Sequence, residues 1–215
     1  MAVGYRTSSI SAGNAYVTSV NVPVPTGAAS GDVALVCLSM WETANPTVTP
    51  PTGFTLVTTV VNSEMKLKLF WKRLTGADTG NYAFSWTGSQ WTDGQAILIT
   101  GAVATGDPIG TQFSSSTGST TAIGSISTTS VGQPFLAQFS VNDSSATGTP
   151  PTGFTEVQDQ PYNRTNYRIP GTTGSQTASG ATLSVSTAYS AILVAVEPAA
   201  GGSPARTSDF MSFFQ

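Results

Sequence analysis

Apolar and polar residues alternate with a period of two in several stretches of this chain. In Tyr82-Ala-Phe-Ser-Trp86 the three aromatics fall on one face of an extended segment. In Met65-Lys-Leu-Lys-Leu69 the two lysines share one face and the apolar residues the other. Val33–Met40 and Phe135–Val141 are mostly apolar and too short for helices, as buried strands are. The spacers are rich in Gly, Pro, Asn, Ser and Thr, which turns require. No segment carries a 3.6-residue period. The pattern predicts strands at Tyr16–Val24, Val33–Met40, Phe54–Val61, Met65–Arg73, Tyr82–Trp86 and Gln95–Ala102. A second set follows at Ala122–Thr128, Phe135–Val141, Phe154–Gln158, Asn166–Ile169, Ala181–Ser186 and Ala191–Glu197. Short strands at this spacing indicate an all-β, jelly-roll-like β-sandwich.

The second set repeats the first. Thr49-Pro-Pro-Thr-Gly-Phe-Thr55 recurs letter for letter at Thr149–Thr155. Upstream, Gly31–Met40 matches Gly132–Val141 in pattern; downstream, Ala96-Ile-Leu98 matches Ala191-Ile-Leu193. The expectation is an internal duplication. Its halves span about 15–104 and 122–198 inside a sandwich of residues 1–200, and one shared core is preferred over two tandem domains. The repeated element suits a rigid corner. Its prolines fix φ and cannot extend a ladder, Gly53 and Gly153 can take positive φ, and Phe54 and Phe154 plug the core as the next strand starts.

Composition sharpens the β assignment. Only 9% of the residues are charged, against about 25% in ordinary domains. Thr, Ser and Gly take their place, as on exposed sheet faces rather than helical ones. The net charge of −3 offers no basic stripe for nucleic acid. Lys66 and Lys68 are read as a solvated strand face. The single cysteine, Cys37, lies in an apolar run and is read as a buried free thiol. No signal peptide and no run of membrane-spanning length is visible. The expectation is a soluble protein made in the cytoplasm, with no membrane partner.

Catalytic chemistry finds little material. There is no histidine, so His-dependent triads, dyads and metal sites are excluded, and no phosphate-binding glycine motif occurs. No metal and no cofactor is expected. A carboxylate pair is the remaining enzymatic option, but Glu42, Glu64, Asp93, Asp107, Asp143, Glu156 and Asp159 fall mostly in turns or strand ends, where solvated residues belong. Of the tryptophans, Trp71 and Trp86 read as core, whereas Trp41 and Trp91 lie at strand ends. There they serve either as rim packing or as contacts for a surface glycan.

The C-terminus breaks the pattern. Residues 201–215 comprise a Gly/Pro-rich linker and an aromatic end in which Phe210, Met211, Phe213 and Phe214 cluster. Such a tail is expected to dock, either on its own sandwich or, preferentially, on a neighbouring subunit, with these four side chains as the anchor.

Several of these motifs carry a resemblance. Gly31-Asp-Val-Ala-Leu-Val36, Thr49–Val57, Leu69-Phe-Trp-Lys-Arg-Leu-Thr-Gly-Ala-Asp78, Tyr82–Trp86, Ala96–Ala102 with Asp107-Pro-Ile109, and the second Pro-Pro-Thr-Gly-Phe span about residues 15–198. Together they resemble a β-sandwich module frequent in tailed bacteriophages of actinobacteria and in bacterial surface proteins. The resemblance implies a non-enzymatic virion structural protein that contacts copies of itself and other virion proteins, such as the major capsid protein. A head-decoration protein is the preferred form. The competing readings are a minor tail or adsorption protein that binds host-surface glycan, and, less favoured, a carbohydrate-active enzyme.

Overall fold

The computed structural model describes residues 3–11, 15–76, 78–130 and 132–199. The tail anchor predicted at Phe210, Met211, Phe213 and Phe214 lies outside the described residues. The described residues form strands and no helix. In chain order the strands are β1 (Gly4–Ile10), β2 (Ala15–Pro23), β3 (Val33–Trp41), β4 (Thr55–Asn62), β5 (Met65–Arg73), β6 (Asn81–Thr100) and β7 (Phe113–Ala122). They continue with β8 (Ile126–Ser130), β9 (Phe135–Asn142), β10 (Gly148–Thr149), β11 (Thr155–Asp159), β12 (Asn163–Arg168), β13 (Gly174–Ala178) and β14 (Thr182–Val196).

Two six-stranded sheets carry the same central order, β6-β3-β5-β4 in the first and β14-β9-β12-β11 in the second. The first adds β1 and β2 on β6, and the second adds β7 and β10 on β14; β8 and β13 pair separately. All these pairings are antiparallel. The sheets face each other as a β-sandwich. Leu35, Cys37, Leu67, Leu69, Ile97 and Ile99 of the first meet Phe135, Phe139, Val141, Ile192, Val194 and Val196 of the second in one apolar core. Alternation along the same strands sends Val36, Leu38, Phe70, Ala96 and Leu98 to an outer core under β2 and the aromatics of β6. Leu136, Ala191, Leu193 and Ala195 do the same for a third core. The preferred single core is therefore one of three. Central strands buried on both faces explain why Val33–Trp41 is buried at every position rather than at alternate ones.

The repeated corner behaves as its residues dictate. The Pro51 and Pro151 carbonyls accept the amides of Phe54 and Phe154 at 3.2 and 2.9 Å. Gly53 and Gly153, at φ 88° and 76°, occupy the positive-φ place of a type II turn. Phe54 and Phe154 then enter the two outer cores. Each ring also receives a cation, Lys72 at 5.8 Å and Arg168 at 4.9 Å.

Register corrects two of the sequence matches. Thr55 stands opposite Trp71 and Thr155 opposite Tyr167, which aligns β5 with β12. Trp71 is paired with Leu35, and Tyr167 with Ala137. Leu35 therefore corresponds to Ala137, not to Leu136 as matching Gly31 with Gly132 would give. The difference is one residue, and one residue changes the face: Leu35 points into the shared core and Leu136 into an outer one. By the same route Ile97 corresponds to Val194, two residues beyond the match of Ala96–Leu98 with Ala191–Leu193.

Other expectations shift too. Tyr82–Trp86 and most of Gln95–Ala102 belong to the single strand β6, which ends at Thr100; its first part pairs with β2 and its last part with β1 and β3. Ala181–Ser186 and Ala191–Glu197 likewise merge into β14. Lys66 and Lys68 do share a face, but not a solvated one. Their exposures are 0% and 6%, and they stand opposite Met40 and Leu38 on the outer-core side of the first sheet. The Lys66 ammonium donates to the Glu64 carbonyl at 2.9 Å. Loss of hydration lowers the pKa of both lysines. Alternation fixes which residues share a face, but it carries no information about a layer that later covers it. Cys37 is buried in the shared core, and burial pushes its thiol far above the ordinary range.

Candidate functional site

One end of the sandwich carries a shallow, open cleft of about 410 Å³. Trp41 closes β3 and stands opposite Trp91 of β6. Their rings meet edge to face, with centroids 4.3 Å apart at 77°. Tyr162, in the turn between β11 and β12, completes the group, 4.9 Å from Trp91 at 83° and 6.0 Å from Trp41 at 80°. Trp41 is 8% exposed and forms the floor. Trp91 and Tyr162 are half-buried walls, and Tyr16 stands exposed beside them.

Three carboxylates edge this aromatic group. Glu42 follows Trp41 directly, Glu64 lies in the tight turn between β4 and β5, and Asp143 follows the end of β9. The Glu42 amide donates to the Glu64 carbonyl at 3.0 Å, tying these two segments together. Backbone with unusual torsions collects here: Glu42 at φ 156° and Ser63 at φ 55° are the positive-φ residues other than glycine among the described residues. The Asp143 amide donates to the Ala188 carbonyl at 3.0 Å, and the Asn142 amide to the Tyr162 carbonyl at 2.9 Å. Accepting a hydrogen bond from Tyr16 and adding its charge, Glu42 raises the Tyr16 phenol above its ordinary pKa.

The cleft straddles the two sheets at equivalent corners. By the strand registers above, Trp41 corresponds to Asp143 and Trp91 to Ala188. The same structural position thus presents an indole pair on one side and an acid with a small residue on the other. At another seam, residues 101–103 pair with residues 197–199 through Ala102 and Pro198.

Of the residues singled out in the sequence, Trp41 and Trp91 do converge, although as a perpendicular pair with Trp41 buried rather than as two exposed rings. Trp86 is buried, its indole nitrogen donating to the Val17 carbonyl at 3.1 Å, and Trp71 packs against the shared core. Tyr16, Tyr162 and the acidic edge were not anticipated as a site. Only the adjacency of Glu42 to Trp41 hinted at it; the others arrive from separate turns.

Asp93 corrects the expectation of solvated carboxylates. It lies inside β6, 4% exposed, between the two sheets. Its Oδ1 accepts from the Ser11 hydroxyl at 2.6 Å and the Gly94 amide at 2.7 Å, and its Oδ2 accepts from Asn163 Nδ2 at 2.8 Å. Burial raises its pKa, and these donors offset the shift only in part. Asp159 pairs with Arg164 at 2.6 Å, and Asp107 accepts the Ile109 amide. Among the described residues no group of three carboxylate or thiol side chains is placed to hold a metal ion, and no helix is long and apolar enough to cross a membrane. Comparison with family models, with curated proteins and with solved structures finds no significant match for this chain.

Proposed function

We propose that this protein is a non-enzymatic structural protein of a tailed-phage virion, in first place a head-decoration protein. The observation that carries this reading is the fusion of two like-ordered sheets through one apolar core, with a further core on the outer side of each. Such a body is a stiff building block whose edges are left for contacts. Leu56 and Val61 lie on β4, at the edge of the first sheet, and each is about half exposed (49% and 47%), as repeated contacts between subunits would use them. The sequence resemblance points the same way, and the aromatic C-terminus supplies an anchor for assembly. Cryo-electron microscopy of purified particles is expected to show the protein in copies matched to the capsid lattice. Deleting residues 205–215 is expected to leave the sandwich folded and to abolish incorporation. Particles that take up the truncated chain at the normal level would remove the anchor role.

A second reading is favoured by one specific observation, the convergence of Trp41, Trp91 and Tyr162 in the cleft. In this reading the protein also binds a host-surface glycan, as an adsorption protein does. Wild-type protein is expected to give signals on a glycan array that Trp91→Ala loses. Equal signals from the two proteins would exclude the cleft as the glycan site.

A further inference from the structure

The seam between the sheets is polar on one flank and apolar on the other. On the polar flank β6 meets β12 through two rungs. Asn163 Nδ2 donates to Asp93 Oδ2 at 2.8 Å, and the Thr165 hydroxyl donates to Gln95 Oε1 at 2.5 Å. All four side chains are buried. On the other flank β14 lies over β5, and Leu67, Leu69 and Ile192 belong to the shared apolar core.

The strand registers make the two flanks equivalent. Ile97 corresponds to Val194, so Asp93 corresponds to Ser190 and Gln95 to Ile192. Trp71 corresponds to Tyr167, so Leu67 corresponds to Asn163 and Leu69 to Thr165. A core position that takes Leu69 or Ile192 on one flank has no packing need for Thr165 or Gln95 on the other.

The sheets share one central order and each has an apolar inner face, so a second copy of the chain offers either half a rival partner. A first half seated where the second now sits would place Leu67 and Leu69 at the positions of Asn163 and Thr165. Gln95 Oε1 would lose its donor, and Gln95 Nε2 has no partner even now. The whole amide would then stand unsatisfied in a dry interior, and Asp93 would lose Asn163. A second half seated where the first now sits would place Ser190 and Ile192 at the positions of Asp93 and Gln95. Asn163 would lose its carboxylate and Thr165 its acceptor. Each stranded group disfavours the pairing by roughly tenfold or more. The first half on the second matches both flanks at once.

We propose that Asp93, Gln95, Asn163 and Thr165 form a pairing code, by which each half accepts the other half and rejects the same half of a second copy. The code specifies by stranding polar groups in the wrong complex rather than by strengthening the right one. It is independent of the functional readings above.

The test uses the full-length chain and its variant Gln95→Ile/Thr165→Leu, which copies the apolar pair of the other flank onto this one. Each protein is compared before unfolding and after refolding from denaturant at high concentration, by size-exclusion chromatography with light scattering. Association through outer surfaces shows in both samples, whereas mispaired halves appear only after refolding. Wild type is expected to regain its original distribution. The double variant is expected to gain a severalfold larger oligomer fraction on refolding, with altered tryptophan fluorescence, because mispairing parts Trp91 from Tyr162 of the other half. Gln95→Ile and Thr165→Leu alone are each expected to lower the melting temperature, and their combination to recover most of the loss. Gln95→Met/Thr165→Val, closer in volume, gives the same reading where the first pair disturbs packing. A double variant that refolds as wild type does overturns the proposal. An oligomer with unchanged fluorescence also overturns it, since that is an exchange of halves that keeps first on second. Single variants as stable as wild type overturn it too, because the rung then carries no pairing free energy.

Discussion

Phe139→Ala is expected to destabilise the whole chain by about 3–5 kcal/mol, the range for removing a buried phenylalanine, in a single unfolding transition. Phe139 is 1% exposed in the core that both sheets build. Its strand neighbours are Thr165 of β12 and Ile192 of β14, and Leu67, Leu69 and Ile97 of the first sheet belong to the same cluster. A cavity there removes contacts from both halves at once. The measurement is denaturant unfolding followed by tryptophan fluorescence, which reports the first half, since all four tryptophans lie in residues 41–91. A midpoint shift seen by fluorescence and by far-UV circular dichroism alike is the expected result. An unchanged fluorescence transition beside a shifted dichroism transition would mean that the halves unfold independently.

The second large effect centres on Asp93. Asp93→Ala is expected to cost about 1–3 kcal/mol at neutral pH, because the Ser11 hydroxyl and the Asn163 amide lose their acceptor in a dry interior. Asp93→Asn behaves differently. Asn163 Oδ1 has no hydrogen-bond partner, so turning the Asn163 amide over lets that oxygen accept from the introduced side-chain amide, while the introduced carbonyl oxygen keeps Ser11 and Gly94. Asp93→Asn is therefore expected to match or exceed wild-type stability at pH 7. The pH dependence follows from the raised pKa. A carboxyl that ionises less readily in the folded state favours folding only while it is protonated. Its contribution is complete below the unfolded pKa of about 3.9 and is lost as pH rises through the higher folded value. Melting temperatures across this range should show wild type losing ground to Asp93→Asn as pH rises. Parallel curves would mean that Asp93 titrates normally.

Much of this molecule was written in local pattern. Period two in Tyr82–Trp86 puts three aromatics in one outer core because successive side chains of a strand must alternate. The twin Pro-Pro-Thr-Gly-Phe corners follow from proline's fixed φ and glycine's freedom at Gly53 and Gly153. Cys37, Trp71 and Trp86 packed where their apolar neighbours implied. The β-sandwich itself was legible because an all-β, turn-punctuated chain has few other ways to bury its sheet faces.

Tertiary structure decided what local pattern cannot encode. Whether a strand face meets water depends on a layer supplied from far along the chain, and so Lys66, Lys68 and Asp93 are buried against expectation. Register is set by pairing geometry, and a slip of one residue, too small to see in a loose match such as Gly31–Met40 with Gly132–Val141, exchanges the faces of a whole strand. The cleft was the least visible of all. Its tryptophans, its tyrosines and its three acids come from separate strands and turns, and only the closing of one sheet over the other brings Tyr162 and Asp143 to Trp91. Sequence named the kinds of residue available; packing between segments far apart in the chain chose which of them share a site.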